Sequence, residues 1–252
     1  MFELVCEVEP ATTPDLRDVR HQIGVMSRIA SAFLIPDNHI GRATVSSIAV
    51  AHEVDLMGGR AIACINARDR NILGFRRDLL TAAAYGVREF LFVYGDRPET
   101  GARSDDLTVR RMLDEARSFS AQQSDGGLHL AVTTRPTAIP AWKLDADALF
   151  VQVTHDVDAL VDWRRSTAFE GPVYAGVIVF GSAAMARKLS ADVPQLAAPP
   201  SAIEALEQDP TAGVRLAVDT VLAIRESGAF SGAHVIPVRK YRELASTLEA
   251  HL

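Results

Sequence analysis

Short runs of β-branched and other apolar residues alternate with longer amphipathic segments along the chain. The short runs are typical of buried parallel strands, and the amphipathic segments have the spacing of helices that bury one face. The pattern predicts eight strands, at residues 2–9, 32–35, 61–65, 89–94, 128–133, 148–154, 173–179 and 233–236. It predicts helices at residues 16–29, 45–57, 72–85, 108–118, 156–167, 182–189, 213–227 and 240–251.

This alternation favours one fold class. Eight strands with a helix after nearly every one, in 252 residues, predict an α/β protein with a single (β/α)8 TIM barrel covering residues 1–252. An open doubly wound sheet is the alternative, but the first βα turn lacks the glycine fingerprint of a dinucleotide fold. Pro136 and Pro140 interrupt the connection between strands 5 and 6. That βα unit is therefore predicted to be degenerate, with at most one turn of helix.

Composition narrows the range of functions. A hydrophobic fraction of 48% and a formal net charge of -6 predict a globular protein without nucleic-acid binding as its main activity. No apolar run approaches 18 residues and no signal peptide opens the chain, so we expect a cytoplasmic protein with no membrane contact. Cys6 and Cys64 are interpreted as buried thiols, and no Cys or His has metal-ligand spacing.

Two acids stand at predicted strand ends. In a TIM barrel, function collects at the carboxyl ends of the strands. Glu7 lies near the end of the first strand, and Asp96 lies in the turn after the fourth. Two separated acids there suggest chemistry on a cationic or protonatable substrate. The structural alternatives are a salt bridge between Glu7 and, for example, Arg68, and a turn-capping role for Asp96.

Six sequence segments, on the predicted strands or beside them, occur in the same order as in a known family. They are CEVEP at 6–10, RDRN at 68–71, GV at 86–87, GDRP at 95–98, VTH at 153–155 and the stretch 176–182. With them the chain resembles the methylenetetrahydrofolate reductase family over almost its whole length. The resemblance implies a TIM barrel that reduces 5,10-methylenetetrahydrofolate to 5-methyltetrahydrofolate, normally by passing a hydride from NAD(P)H through a bound flavin.

The resemblance also assigns roles to individual residues. Glu7 matches the family's proton donor, and Asp96 matches its pterin-side carboxylate. His155 stands where a glutamine usually hydrogen-bonds the pterin. Asn38 and Asn66 are expected as polar substrate contacts, although amides at strand ends also serve as caps. Phe180 and Tyr174 are expected to stack on the aminobenzoate, with core packing as the alternative for Tyr174.

Most differences from the family pattern fall at positions that would bind the cofactor. These positions are Arg68, Tyr94, Cys64 and Thr134. Cys64 replaces a usual histidine, Tyr94 replaces a usual basic residue, and Thr134 begins a loop that lacks the family's usual sequence. We therefore predict that FAD binds weakly or not at all. NADH or NADPH, which the sequence does not distinguish, would then pass its hydride directly to the substrate.

Two other functions fit the same pattern. One is a folate- or flavin-binding barrel without reductase activity, which would not need a proton donor at Glu7. The other is a pterin-dependent methyltransferase, which would need a corrinoid or metal-thiolate partner. In each case the expected partner is a small-molecule folate, with no nucleic acid and no metal site in the chain.

Overall fold

The computed structural model describes residues 1–122, 127–192 and 196–251, and within them eight parallel strands form a closed barrel. The strands pair in chain order, and the eighth pairs back onto the first. They are β1 (Glu3–Glu7), β2 (Ala32–Ile35), β3 (Ala61–Asn66), β4 (Glu89–Val93), β5 (His129–Thr134), β6 (Ala148–Val151), β7 (Val173–Ile178) and β8 (Gly232–Ile236). The predicted TIM barrel is confirmed. The open sheet was wrong, because an open sheet leaves two edge strands unpaired.

Helices surround the barrel. The described residues form α1 (Arg17–Met26), α2 (Ser47–Leu56), α3 (Ile72–Ala84), α4 (Val109–Ser120), α5 (Val157–Ser166), α6 (Ala183–Asp192), α7 (Pro200–Gln208), α8 (Ala212–Glu226) and α9 (Tyr241–Glu249). Polar side chains fix several starts: Asn71 accepts the backbone N–H of Gly74 at 2.9 Å, and Asp156 accepts that of Ala159 at 2.9 Å. These contacts satisfy donors that the first turn of a helix leaves free. No helix among the described residues has the length and apolarity needed to cross a membrane.

The sequence pattern missed helix α7. Its N-cap is Pro199, and Pro200 occupies the first turn. Consecutive prolines indicate a loop, yet proline is tolerated in the first turn because the N–H it lacks has no partner there. Ala202 and Leu206 are buried, and α7 packs between α6 and α8. Helix α7 therefore adds a layer beside the ends of β6 and β7.

The connection between β5 and β6 is short, as predicted. It holds a single turn of 3-10 helix, Ala141–Lys143. The Lys143 ammonium donates to the Thr133 carbonyl at 2.8 Å, which fastens the connection to the end of β5. Burial, with Arg135 nearby, lowers the pKa of Lys143. The degenerate unit is therefore confirmed.

Side chains of successive strand residues alternate between two hydrophobic layers. One layer lies between the strands and the helices and forms the large core. The other fills the barrel, and it is made of Val5, Ala32, Leu34, Ile62, Cys64, Leu91, Ala131, Ala148, Phe150 and Tyr174. Tyr174 stands near the amino end of β7, where its hydroxyl donates to Glu3 and Arg60 pairs with the same carboxylate at 3.0 Å. Tyr174 is thus a core residue far from the carboxyl ends of the strands, which agrees with core packing, the alternative given for it above.

Candidate active site at the carboxyl end of the barrel

The closed parallel barrel brings all eight strand ends to one edge. Glu7, Asn66 and Thr134 are the last residues of β1, β3 and β5, and Asp96 follows β4. A TIM barrel carries its chemistry at this edge, on residues from several strands. Apart from Tyr174, the predicted site residues lie near these strand ends or on the loops after them. Three separate groups of contacts form there, and Asp96, Arg68 and Tyr94 lie on loops beside the second.

The first group is the mouth pair, which we define as Glu7 and His234. Their side chains are 13% and 12% exposed, and Nε2 of His234 lies 3.2 Å from Oε2 of Glu7. The His234 ring meets the edge of Phe150, an interior residue, at 5.7 Å between ring centroids. Glu7 is thus paired with an imidazole inside the barrel, and Arg68, the partner suggested by the sequence, forms none of the ion pairs found in the described residues.

Cys64 belongs to the interior layer of the barrel, next to the mouth pair. It is 4% exposed, and burial raises the pKa of its thiol well above the ordinary range, with the carboxylates of Glu7 and Asp37 acting in the same direction. Cys6, on the helix-facing side of β1, is also buried, and burial raises its pKa to about 12. Both cysteines are therefore neutral thiols, and Cys64 brings no charge to the mouth.

The second group is the rim network, which we define as Asp37, Asn38, Asn66, Asp69 and Arg70. The Asn66 side chain is buried and donates to the carboxylates of Asp37 and Asp69, at 2.9 Å each. Arg70 pairs with Asp37 at 2.7 Å and also donates to the Asn66 carbonyl at 2.8 Å. Burial raises the pKa of Asp37 in spite of the Arg70 charge beside it. The network ties the ends of β2 and β3 together.

Asn38 belongs to the same network. Its amide donates to Asp69 at 3.0 Å, and its side-chain oxygen accepts the backbone N–H of Thr44 at 3.2 Å. Asn38 adopts a left-handed backbone with φ of 49°, a conformation that asparagine tolerates better than most residues. Asn38 and Asn66 were both predicted as substrate contacts. Their side chains therefore already have hydrogen-bond partners within the fold.

Asp96 joins two loops at this rim. It is exposed, and its Oδ2 accepts the backbone N–H of Ile40 at 2.9 Å. In a second contact between these loops, the backbone N–H of Glu99 donates to the Gly41 carbonyl at 3.0 Å. Gly41 has φ of 75°, and any side chain there would collide with the Arg97 carbonyl. The β2–α2 and β4–α4 loops are thus held face to face, and Asp96 leaves one carboxylate oxygen outside that contact.

Arg68 and Tyr94 stack on each other beside this rim. The Arg68 guanidinium lies 4.7 Å from the centroid of the Tyr94 ring, within the range of a cation-π contact. Arg103 approaches the same ring at 5.9 Å. Nε of Arg68 is buried and makes no hydrogen bond to the described residues. This is the only assigned cofactor position that keeps a free buried donor within the described part of the chain.

The third group lies apart, between the barrel and two helices. His155 and Phe180, with ring centroids 5.4 Å apart, line a cavity of about 200 Å³ that Ser201 of α7 and Thr220 of α8 close. Burial lowers the pKa of His155, and a hydrogen bond to the backbone of Leu196 opposes that change. His155 is therefore neutral at pH 7. Neither Glu7 nor Asp96 lines this cavity.

The four assigned cofactor positions do not form a flavin site. Cys64 and Thr134 are each 4% exposed. Thr134 also shares the helix-facing side of β5 with Leu130 and Val132. Arg68 and Tyr94 alone remain accessible, and they contact each other. A flavin diphosphate needs several exposed donors, so these residues do not fit FAD. Within the described residues, no cluster of three His, Cys, Asp or Glu side chains could hold a metal ion.

Sequence reasoning gave His234 no role. The signal was available in principle. Neighbouring strands of a closed barrel include the first and the last, and His234 is two residues from the amino end of β8, the same inward-facing position as Val5 on β1. Only closure of the barrel makes β8 a neighbour of β1, so the contact with Glu7 depended on the fold.

Comparisons with known proteins give the fold and leave the family open. No protein-family model matches the chain, and no curated protein sequence matches it. The fold is similar to that of an uncharacterized protein from Clostridium thermocellum that binds two copies of 5-methyl-5,6,7,8-tetrahydrofolic acid, with a TM-score of 0.64 and 12% identity over 100% of this chain and 96% of that one. It is also similar to a mutant tryptophan synthase alpha-subunit from Pyrococcus furiosus, with a TM-score of 0.57 and 14% identity over 99% of this chain and 97% of that one. At such identities the likeness establishes a shared TIM-barrel fold.

Proposed function

We propose that this protein binds a reduced folate at the mouth of the barrel and reduces 5,10-methylenetetrahydrofolate to 5-methyltetrahydrofolate with NADH or NADPH. The observation that carries the proposal is the Glu7 carboxyl, which is nearly buried inside the mouth at the end of β1. A barrel of the same fold that binds 5-methyltetrahydrofolate supports the substrate class.

The reaction needs one proton and one hydride. The five-membered ring of the substrate opens when N10 takes a proton and its bond to the methylene carbon breaks, which leaves a cation on that carbon and N5. A nicotinamide co-substrate supplies the hydride that converts this carbon to a methyl group. Glu7 supplies the proton, and its carboxylate then lies beside the cation, where an opposite charge in a water-poor site is most effective.

The other groups have supporting parts in this proposal. The free oxygen of Asp96 is available to the pterin at the rim, and the neutral His155 imidazole is available for hydrogen bonding without repelling a cation. A reduced folate is an extended molecule, so it can reach groups that do not share one pocket.

A folate-binding barrel without reductase activity is the second candidate. The observation that favours it is the condition of the rim, where Asp96 already holds the Ile40 N–H and the amides of Asn38 and Asn66 already have partners. Such a protein would bind reduced folates and would not turn them over.

Substitution of Glu7 separates the two candidates. Anaerobic assays should show oxidation of NADH or NADPH that depends on methylenetetrahydrofolate, and E7Q should lower kcat by about 10²- to 10⁴-fold. Calorimetry should show that E7Q keeps its affinity for 5-methyltetrahydrofolate within a few-fold. The matched control is E9Q, because Glu9 is an exposed acid two residues further along. Its turnover should equal that of the wild type.

Three results would count against the proposal in different ways. A protein that binds 5-methyltetrahydrofolate without turnover is the non-catalytic barrel. A protein that binds no reduced folate at all contradicts both candidates. Stoichiometric flavin in the purified protein, seen as a yellow absorbance band, would contradict direct hydride transfer.

A further inference from the structure

Two ionisable side chains in contact, such as the mouth pair, are unusual in the interior of a barrel. Below it, the barrel is filled mainly by apolar residues such as Val5, Leu34 and Leu91, which is the usual content of these layers. Burying two ionisable side chains costs free energy unless each is compensated. A leucine at either position would avoid that cost, so stability alone does not explain the pair.

The geometry of the pair leaves one imidazole nitrogen without a hydrogen-bond partner in the described residues. Nε2 of His234 is buried and makes no hydrogen bond to the described residues, and its 3.2 Å contact with Oε2 of Glu7 lies outside hydrogen-bond geometry. The backbone on both sides of His234 is fixed by pairing with β1 and β7, and its ring is held against Phe150. The two atoms already lie within hydrogen-bond distance, so only their relative orientation has to change for the bond to form.

The groups around the pair offer it no competing proton. On β7 the residue in register with His234 is Gly176, which has no side chain, and on β6 the neighbour is the Phe150 ring. From β3 the titratable group is Cys64, whose raised pKa keeps it protonated. From β2 the nearest charge is Asp37, which is occupied by Arg70. Among these neighbours, His234 is the group in contact with the Glu7 carboxyl.

We propose that His234 is the proton reservoir of Glu7, and that the two side chains share the one proton that is delivered to N10 of the folate. This inference rests on the proposed function. The imidazolium passes its proton to the Glu7 carboxylate, and Glu7 passes it to N10 as the bond from N10 to the methylene carbon breaks. The pair changes from neutral to a single negative charge while the substrate gains a single positive charge, so charge is conserved within the mouth.

The reservoir solves a supply problem. An isolated glutamic acid with an ordinary pKa near 4.3 is protonated in only about 0.2% of molecules at pH 7, whereas an ordinary histidine is protonated in about a quarter of them. A histidine in contact with the acid keeps a proton inside the mouth, so Glu7 does not have to take that proton from bulk water during the reaction. His234 acts through Glu7 and is a positioning and proton-supplying residue.

The pH dependence of H234Q tests this role. Glutamine keeps the volume and the polarity of the site but carries no proton. We expect kcat/KM of H234Q to approach the wild-type value near pH 5.5, where the solution supplies protons more readily, and to fall at least tenfold below it at pH 8. KM should change little. Added imidazole should restore part of the activity of H234A at pH 8. The control is H129Q, since His129 is an exposed residue at the opposite end of the barrel.

A second measurement tests the shared proton without any folate. The ¹⁵N NMR spectrum of His234 at pH 7 should show a smaller imidazolium fraction in E7Q than in the wild type, because the neighbouring carboxylate favours the charged ring. An unchanged fraction overturns the shared proton. An equal loss of kcat/KM by H234Q at every pH, without imidazole rescue, overturns the reservoir. If the wild type reduces no folate, the proposed function and the delivery step fail together, and the NMR comparison still decides whether the proton is shared.

Discussion

The mouth pair and the rim network stand at the same end of the barrel and use similar residue types, yet they differ in how completely their hydrogen bonds are satisfied. In the rim network, Asn66 and Asp37 each contact several partners, and Arg70 bridges Asp37 and Asp78. In the mouth pair, His234 has a buried nitrogen with no hydrogen bond in the described part of the chain. Polar groups with complete sets of partners stabilise the fold, and groups with spare capacity are available to a substrate.

Substitution of the rim network should therefore affect stability first. R70M removes the buried cation and leaves the Asp37 carboxylate, whose side chain is 7% exposed, without its ionic partner. Breaking a buried pair in this way costs about 3–5 kcal/mol, which denaturant unfolding will measure. R76M is the control, because Arg76 forms an exposed pair with Glu115, and such a pair contributes about 1 kcal/mol or less. Equal losses in the two variants would show that the rim network is not a stabilising element.

The face-to-face loops provide a smaller effect on stability. G41A should lose about 1–3 kcal/mol, because alanine is strained at φ of 75° and its Cβ would meet the Arg97 carbonyl. G58A is a matched control: Gly58 has φ of 80° but no atom near the position of a Cβ. G58A should lose only the stability that corresponds to the strained backbone, about 1 kcal/mol. If thermal or denaturant unfolding finds G41A no worse than G58A, the loops are not held together as described.

Asp96 belongs to neither region, and two substitutions separate its loop contact from its proposed contact with folate. D96N keeps an oxygen that can accept the Ile40 N–H, whereas D96A removes it. We expect D96N to unfold like the wild type and to bind 5-methyltetrahydrofolate about tenfold more weakly, since a charge-assisted contact is lost. D96A should show the same loss of affinity and about 1 kcal/mol less stability. If D96N binds 5-methyltetrahydrofolate as tightly as the wild type, Asp96 holds the loops together and does not contact the ligand.

The smallest expected effect is a pH dependence carried by Asp37. Burial raises its pKa in the folded protein above the value of about 3.9 for an unfolded chain. The folded state then binds more protons than the unfolded state between those two values, so the stability contributed by Asp37 rises as pH falls through that window. Urea unfolding at pH 7 and pH 5 should show the wild type gaining stability relative to D37N at the lower pH. A relative loss would contradict the direction.

The comparison also shows which site predictions the sequence could support. The pattern placed Glu7, Asn66 and Asp96 at strand ends, because apolar runs end where the chain leaves the barrel. It could not separate Glu7, which faces the mouth, from Asn66, whose partners come from residues 37 and 69. Likewise the family resemblance assigned Thr134 to a cofactor, although the alternation of β5 turns that side chain towards the helices. Which partners fill a side chain's hydrogen bonds is a long-range property.

The sequence by itself determined the class of fold and the order of the strands, because the periods of buried strands and amphipathic helices are local. It also predicted the degenerate βα unit, since Pro136 and Pro140 prevent a helix wherever they stand. Tertiary structure decided the rest: helix α7 behind two prolines, and the contact of Glu7 with His234, 227 residues apart in the chain. That contact exists only because closing the barrel makes its first and last strands neighbours.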